Sequence, residues 1–259
     1  MNSENIRSIL SEIIKYTGDL GIVNLIKVTD EGTVLKVDGM SDDKTVVVNG
    51  EINTQSFSEK IFGGSFGMTD FNLIKGLCNS PTFRTEESQI VVVKKRIENS
   101  EKESDVVPVE ILFKDGKGQR ASYRLMDASL LPKQAIFKGA DWDVIFKPQQ
   151  SKISEFFSFS NLYNKEKFFS VFTEKNNLMV AIGDNKGVSN SVVLTFVENV
   201  KGKIENQLYW PISEFTNIMK LSFDKNNDID IYICQKGVML VNIETPISVW
   251  KYIMPSYRR

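Results

Sequence analysis

Residues 224–231 read DKNNDIDI and place Asp224, Asn226 and Asp228 at alternate positions. A calcium loop offers its first oxygen ligands at this spacing. The same chemistry needs glycine at the sixth position and a bidentate glutamate at the twelfth, and here those are Ile229 and Gln235. The stretch therefore reads as a hairpin turn entering a strand. Residues 63–67, GGSFG, are glycine-rich ahead of a helical segment, but GxxxxGK[ST] occurs nowhere. A strand kink or tight helix entry is expected there rather than a phosphate cradle. The basic trio Lys94, Lys95 and Arg96 ends a valine-rich run, as an exposed edge or loop would. No paired carboxylates stand out.

The chain contains no histidine. That removes Ser-His-Asp and Cys-His nucleophiles, imidazole proton shuttles and histidine metal ligands. Its two cysteines, Cys78 and Cys234, form no CxxC and read as reduced core thiols. The expectation is a protein that is not an enzyme, with no cofactor and no metal. Basic and acidic residues nearly cancel, 32 against 33, whereas a protein that holds nucleic acid by charge alone is usually basic.

Elements must now be found to carry whatever function remains. The 259 residues suit two domains. No apolar run approaches the ~20 residues that span a bilayer, and the first residues lack the basic-then-apolar pattern of a signal peptide. Ile6, Ile9, Leu10, Ile13 and Ile14 form a helical stripe, with Arg7, Ser8, Ser11 and Lys15 expected on the other side. Strand-like runs follow, broken by turn residues, then TDFNLIKGL at 69–77 and further strands. The pattern restarts with KISEFFSFSNLY, strand-like runs, and SEFTNIMKL at 213–221. Phe71 and Phe215 are 144 positions apart, as are Ile9 and Ile153, and Ile13 and Phe157. We read an internal duplication of helix, strands, short helix, strands. In the short helices Thr69 and Ser213 are expected N-caps, with Asp70 and Glu214 leading the first turn. Phe71, Leu73, Ile74 and Leu77 are expected to share the buried side of the first, and Phe215, Ile218, Met219 and Leu221 that of the second. Lys75 and Lys220 point away.

This α+β arrangement, two copies of one domain with two helices packed on antiparallel sheets, resembles the DNA sliding clamps. The likeness is greatest to the two-domain clamps of tailed phages, related to proliferating cell nuclear antigen. It is carried by SYRLMDASLLPK at 122–133, WDVIFKPQQSKISEFF at 142–157, SVWKYIMPS at 248–256 and the two short helices. The order and spacing of these segments carry the likeness, since none is diagnostic alone. It implies a first domain over 1–133, a second over 134–259 and a connector near 127–141. It also implies a ring-forming homotrimer, with QRASYRLM at 119–126 pairing with SVVLTFV at 191–197 of the next copy. The helices would face duplex DNA through Arg7, Lys15, Lys75, Lys152 and Lys220. KISEFFSFSNLY departs from this pattern, since its polar side is Ser154, Glu155 and Ser158, with Lys152 toward its edge.

The resemblance further implies partners, a DNA polymerase and a clamp loader, and no membrane. A pocket for partner peptides would use Met40, Val46, Val48, Ile136, Met239, Ile253 and Pro255. The implied place is the cytoplasm, that of the host if the chain comes from a phage. Two other readings stand beside this one. One is a monomeric processivity protein that binds DNA by charge, against which the near-neutral composition argues. The other is a phage structural or adaptor protein built from duplicated β-rich domains.

Overall fold

The computed structural model describes residues 3–55, 61–96, 106–132, 137–183 and 190–257. It divides into two units, Met1–Asp42 with Val48–Ala135, and Asp43–Val47 with Ile136–Arg259.

The first unit opens with α1 (Ser3–Tyr16), whose five-residue isoleucine and leucine stripe is buried to 3% exposure or less. Burying each such side chain is worth about 1.5–3 kcal/mol. Four strands follow, β1 (Ile26–Asp30), β2 (Val34–Met40), β3 (Val47–Asn53) and β4 (Ser65–Met68). Helix α2 (Phe71–Asn79) leads to β5 (Gln89–Arg96), β6 (Val106–Lys114), β7 (Arg120–Arg124) and the short β8 (Met126–Asp127). Strands run in the order β8-β4-β1-β2-β3, with β5-β6-β7 as a separate sheet. β1 is antiparallel to both β2 and β4. Alternate residues of β1 and β2 are buried, so each presents one apolar side. α1 packs on α2 and β5.

The second unit begins with β9 (Val144–Phe146) and α3 (Gln150–Leu162). Then come β10 (Phe168–Glu174), β11 (Asn177–Ile182), β12 (Val192–Val197) and β13 (Leu208–Pro211). Helix α4 (Ile212–Met219) precedes β14 (Asp228–Cys234), β15 (Val238–Glu244) and β16 (Ser248–Pro255). Its strand order, β13-β10-β11-β12, reproduces β4-β1-β2-β3, and β14-β15-β16 reproduces β5-β6-β7. The duplication is thus one of topology as well as of spacing. The cores differ in material. Around α3 an aromatic cluster replaces the aliphatic stripe, with Phe156 5.1 Å from Phe169 and 5.3 Å from Phe215, ring to ring. Trp210 adds its ring to Phe169 and donates its Nε1 proton to the Met254 carbonyl at 2.9 Å.

Four local expectations are corrected. Asp70, not Thr69, caps α2, with its carboxylate accepting from Leu73 N at 3.2 Å. In α4 the helix starts earlier, after Pro211, so Ser213 sits inside the first turn with Glu214. Proline's fixed φ, here −69°, suits a helix entry. The buried stripe of α2 is Phe71, Ile74 and Cys78; Leu73, two residues after Phe71 and so across the helix, is 46% exposed. In α3 Phe156 is the buried anchor and Phe157 only half-buried, so the 144-residue offset does not carry Ile13 onto an equally buried side chain.

The two loops that resemble ligand cradles are internally committed. Asp30, 6% exposed, accepts from Phe62 N, Gly63 N and Gly32 N at 2.8–2.9 Å, so a buried carboxylate holds the glycine turn before β4. Asp224 accepts from Asn226 N at 3.0 Å, and Asp228 is bonded at 2.6 Å by Lys147. The Asp30 and Asp224 contacts are turn chemistry, and the Asp228 contact is an ion pair at the start of β14.

Candidate nucleic-acid interface and partner pocket

The exposed sides of the four helices are nearly balanced in charge. α1 offers Glu4, Glu12 and Lys15; α2 offers Lys75; α3 offers Lys152 and Glu155; α4 and its end offer Glu214 and Lys220. These lysines are also locally engaged. Lys75 pairs with Asp19 at 2.6 Å and Lys152 with Glu155 at 2.9 Å. Lys220 donates to Asn217 Oδ1 at 2.8 Å, and the Lys15 amine lies 5.0 Å from the Tyr16 ring centre. Exposed pairs of this kind are worth only about 0–1 kcal/mol, so a passing phosphate could compete for each lysine. Lys15, Lys75, Lys152 and Lys220 are at least partly exposed on the helices that the sequence suggested.

Arg7 is the exception. It is 5% exposed, and its guanidinium donates to the carbonyl oxygens of Cys78 and Phe83 while lying 3.5 Å from Glu4. These carbonyls lie in the last turn of α2 and just beyond, where helix acceptors are left open. The expected DNA-facing role is replaced by a structural one. Helical periodicity placed Arg7 opposite the isoleucines, but the approach of α2 covers that flank of α1.

The expected peptide-pocket residues also separate. Val46 is 0% exposed, Val48 1%, Met239 2% and Ile253 5%, so these four are core side chains. Met40 is half-buried and Pro255 exposed, while Ile136 lies outside the described residues. Val48, Met239 and Ile253 belong to β3, β15 and β16, Val46 stands just before β3, and burial around these strands takes up the apolar surface that sequence order had assigned to a partner.

What the sequence reading missed is a cavity of about 550 Å³ in the second unit. It lies where the end of α3 and start of β10 meet the entry to α4, with Tyr257 and Asp43 on its wall. No short motif announces it, because its lining comes from four separated segments. Among the described residues no group of three cysteine, aspartate or glutamate side chains is arranged to hold a metal ion. No helix of the described residues is long and apolar enough to cross a membrane.

No protein-family model matches the chain, and no curated protein matches its sequence. Solved structures do match it. Proliferating cell nuclear antigen from Entamoeba histolytica superposes with a TM-score of 0.64 over 98% of this chain and 95% of that one, at 10% identity. The proliferating cell nuclear antigen of A. fulgidus, solved with the C-terminal region of FEN-1 bound, gives 0.64 over 100% and 97%, at 13% identity.

The chain has the sliding-clamp fold.

Both matches run almost end to end, so both copies of the duplicated clamp domain take part. At such identities the likeness is one of fold, and the clamp's surface chemistry has to be read from this chain's own residues. That chemistry is a set of near-neutral helix faces in both units, one buried arginine among the candidate cations, and a cavity of mixed polar and apolar lining beside Tyr257 in the second unit.

Proposed function

We propose that this chain is a DNA polymerase processivity factor of the tailed-phage kind, acting in the host cytoplasm. Three copies would close into a six-domain ring around duplex DNA and tether the replicative polymerase after a clamp loader has opened it. The observation that carries this reading is the duplicated clamp fold, matched over nearly the whole chain. The domain division proposed is 1–133 and 134–259 with a connector near 127–141. β7 and β12 stand at the ends of their sheets. In a homotrimer β7 of one copy would pair with β12 of the next and so cover both edges. Lys15, Lys75, Lys152 and Lys220 would meet phosphates on the inner face. Their balance by glutamates favours a ring that holds DNA by topology over a monomer that binds by charge, because few phosphate contacts mean little affinity and a shallow salt dependence. One structural neighbour carries the C-terminal region of FEN-1. By analogy a partner's terminal peptide would dock here, with Met40 and Pro255 the accessible candidates among the residues first assigned.

Primer extension on circular DNA, with and without this chain and a matched loader, tests the reading. Products should lengthen only when chain and loader are both present, and the solution mass should be about three times 29.4 kDa. A monomer that leaves extension unchanged in the presence of its loader would overturn it.

A further inference from the structure

The two units finish one corresponding sheet edge differently. In the second, the outer side of β14 is covered by β9, running antiparallel, with Val144, Ile145 and Phe146 opposite Ile233, Tyr232 and Ile231. Asp141, Trp142 and Asp143 lead into that strand. The N–H of Asp143 donates to the Ile233 carbonyl at 2.9 Å, and its carboxylate accepts from Gln235 N at 2.7 Å, just past the hairpin end of β14. In the first unit β5 holds the place of β14, yet it ends its sheet, and among the described residues no strand lies on its outer side. Ile90 N instead donates to Ser3 Oγ at 3.0 Å, so a side chain at the start of α1 meets the first outward group of β5. Ladder groups alternate in direction, so the N–H and C=O of Val92 point outward as well; the bulge comes only after Val93. Val91 is 37% exposed. The strand ends in Lys94, Lys95 and Arg96, all exposed, whose cross-strand neighbours Pro108, Val107 and Val106 are uncharged.

We propose that the outer edge of β5 docks an extended segment of a partner protein, added antiparallel, with carboxylates ahead of β-branched residues. β9 is the template within the same chain: acid first, then apolar residues, running against the strand it covers. In that direction the leading acids of a docked segment fall beside Lys94, Lys95 and Arg96, and its apolar residues beside Val91 and Val92. Main-chain hydrogen bonds to an open edge supply affinity, and side chains choose the partner. Opposite charges facing across a ladder stabilise the pairing. Lysines on an open edge discourage indiscriminate strand pairing, so they select an occupant that brings its own carboxylates. The site belongs to the first unit alone and lies at the other end of its sheet from β7, so it is independent of ring formation.

The test is a titration of the isotope-labelled full chain with acetyl-Asp-Glu-Asp-Val-Thr-Val-Thr-amide, read by amide chemical shifts and hydrogen exchange. One control peptide carries lysine in place of each acid, and another carries the same residues in reverse order. Expected is saturable binding with Kd on the order of 100 μM. Shifts should be confined to β5, the facing residues of β6 and the start of α1, and exchange should slow at Val92. Both controls should bind more weakly by about tenfold or more. Val92→Pro removes the outward donor and should abolish binding, at an edge position where proline is tolerated. Lys94→Glu/Arg96→Glu, at exposed positions, provides a second variant and should shift the preference to the lysine peptide; thermal melts check that both variants fold. The proposal is overturned by equal binding of either control, by shifts spread over other surfaces, or by none up to about 5 mM. Protection of the Val92 amide before any peptide is added also overturns it. Protection independent of concentration would put a segment of this chain on the edge, and protection that grows with concentration would put a second copy there. None of these results bears on DNA retention, so this inference and the clamp function fail separately.

Discussion

Arg7 on α1 donates its guanidinium to the carbonyl oxygen of Cys78, in the last turn of α2. One charged side chain therefore closes the open end of a helix more than seventy residues away and welds the two helices of the first unit together. Cys78 itself is buried beneath it.

Arg7→Leu should therefore destabilise the fold by about 2–4 kcal/mol, because two buried carbonyls lose a charged donor. Urea denaturation measures this. Lys15→Ala, on the same helix, should change stability by less than about 1 kcal/mol. Comparable losses from both variants would show that Arg7 is no more than a surface cation.

The alkaline limb of stability should reflect two groups of the first unit. Burial pushes the Cys78 thiol up from 9.0 to about 11, with Arg7 pulling weakly the other way. Burial likewise pushes Tyr123 from 10.0 to about 12, and its hydroxyl hydrogen-bonds to the Thr69 backbone. Both folded-state values are raised, so the folded state holds protons that the unfolded chain has released. Their contribution is complete below pH 9 and is lost as pH climbs through 11 for the thiol and 12 for the phenol. Tyr123→Phe should flatten the decline above pH 10 in a series of thermal melts. Native Cys78 should resist iodoacetamide at pH 8 and react once the chain is denatured.

Gly18 lies against Phe71. An added Cβ would fall 2.4 Å from that residue's Cβ and Cγ. Gly18→Ala should cost about 1–3 kcal/mol through overpacking. Phe71→Leu in the same background should recover part of the loss, visible as a non-zero coupling energy in the double-mutant cycle.

Converting Lys15, Lys75 and Lys220 together to glutamate should make the balanced helix faces acidic. Under the proposed function, retention on circular DNA should then fall and extension products shorten, while the melting temperature moves only slightly. Unchanged processivity would remove these lysines from the DNA-facing surface and leave the fold as it is.

Calcium should have no effect. Asp224 and Asp228 already serve a turn and the Lys147 pair, so millimolar calcium or its chelation should leave the melting temperature within about 1 °C.

Several of these relationships were legible in the amino-acid order. Isoleucines at helical spacing defined α1, strand-like apolar runs broken by turn residues defined most strands, and Phe71 with Phe215 announced the duplication. Periodicity reports a side chain's direction relative to its own element, and these features depend on little else. The lack of histidine likewise constrained the chemistry before any fold was known.

Tertiary structure decided the rest. Periodicity turned Arg7 outward, but α2 packs over that flank and captures it. It gave Leu73 to the core, yet the stripe that meets the unit runs through Phe71, Ile74 and Cys78. Val46, Val48, Met239 and Ile253 pass from a surface pocket to the interior, and a cavity lined by four distant segments takes shape instead. The sequence by itself determined which elements form and that they form twice. Which flank of each element is covered, and which separated residues converge on one cavity, depends on distances between elements, and no local pattern encodes those.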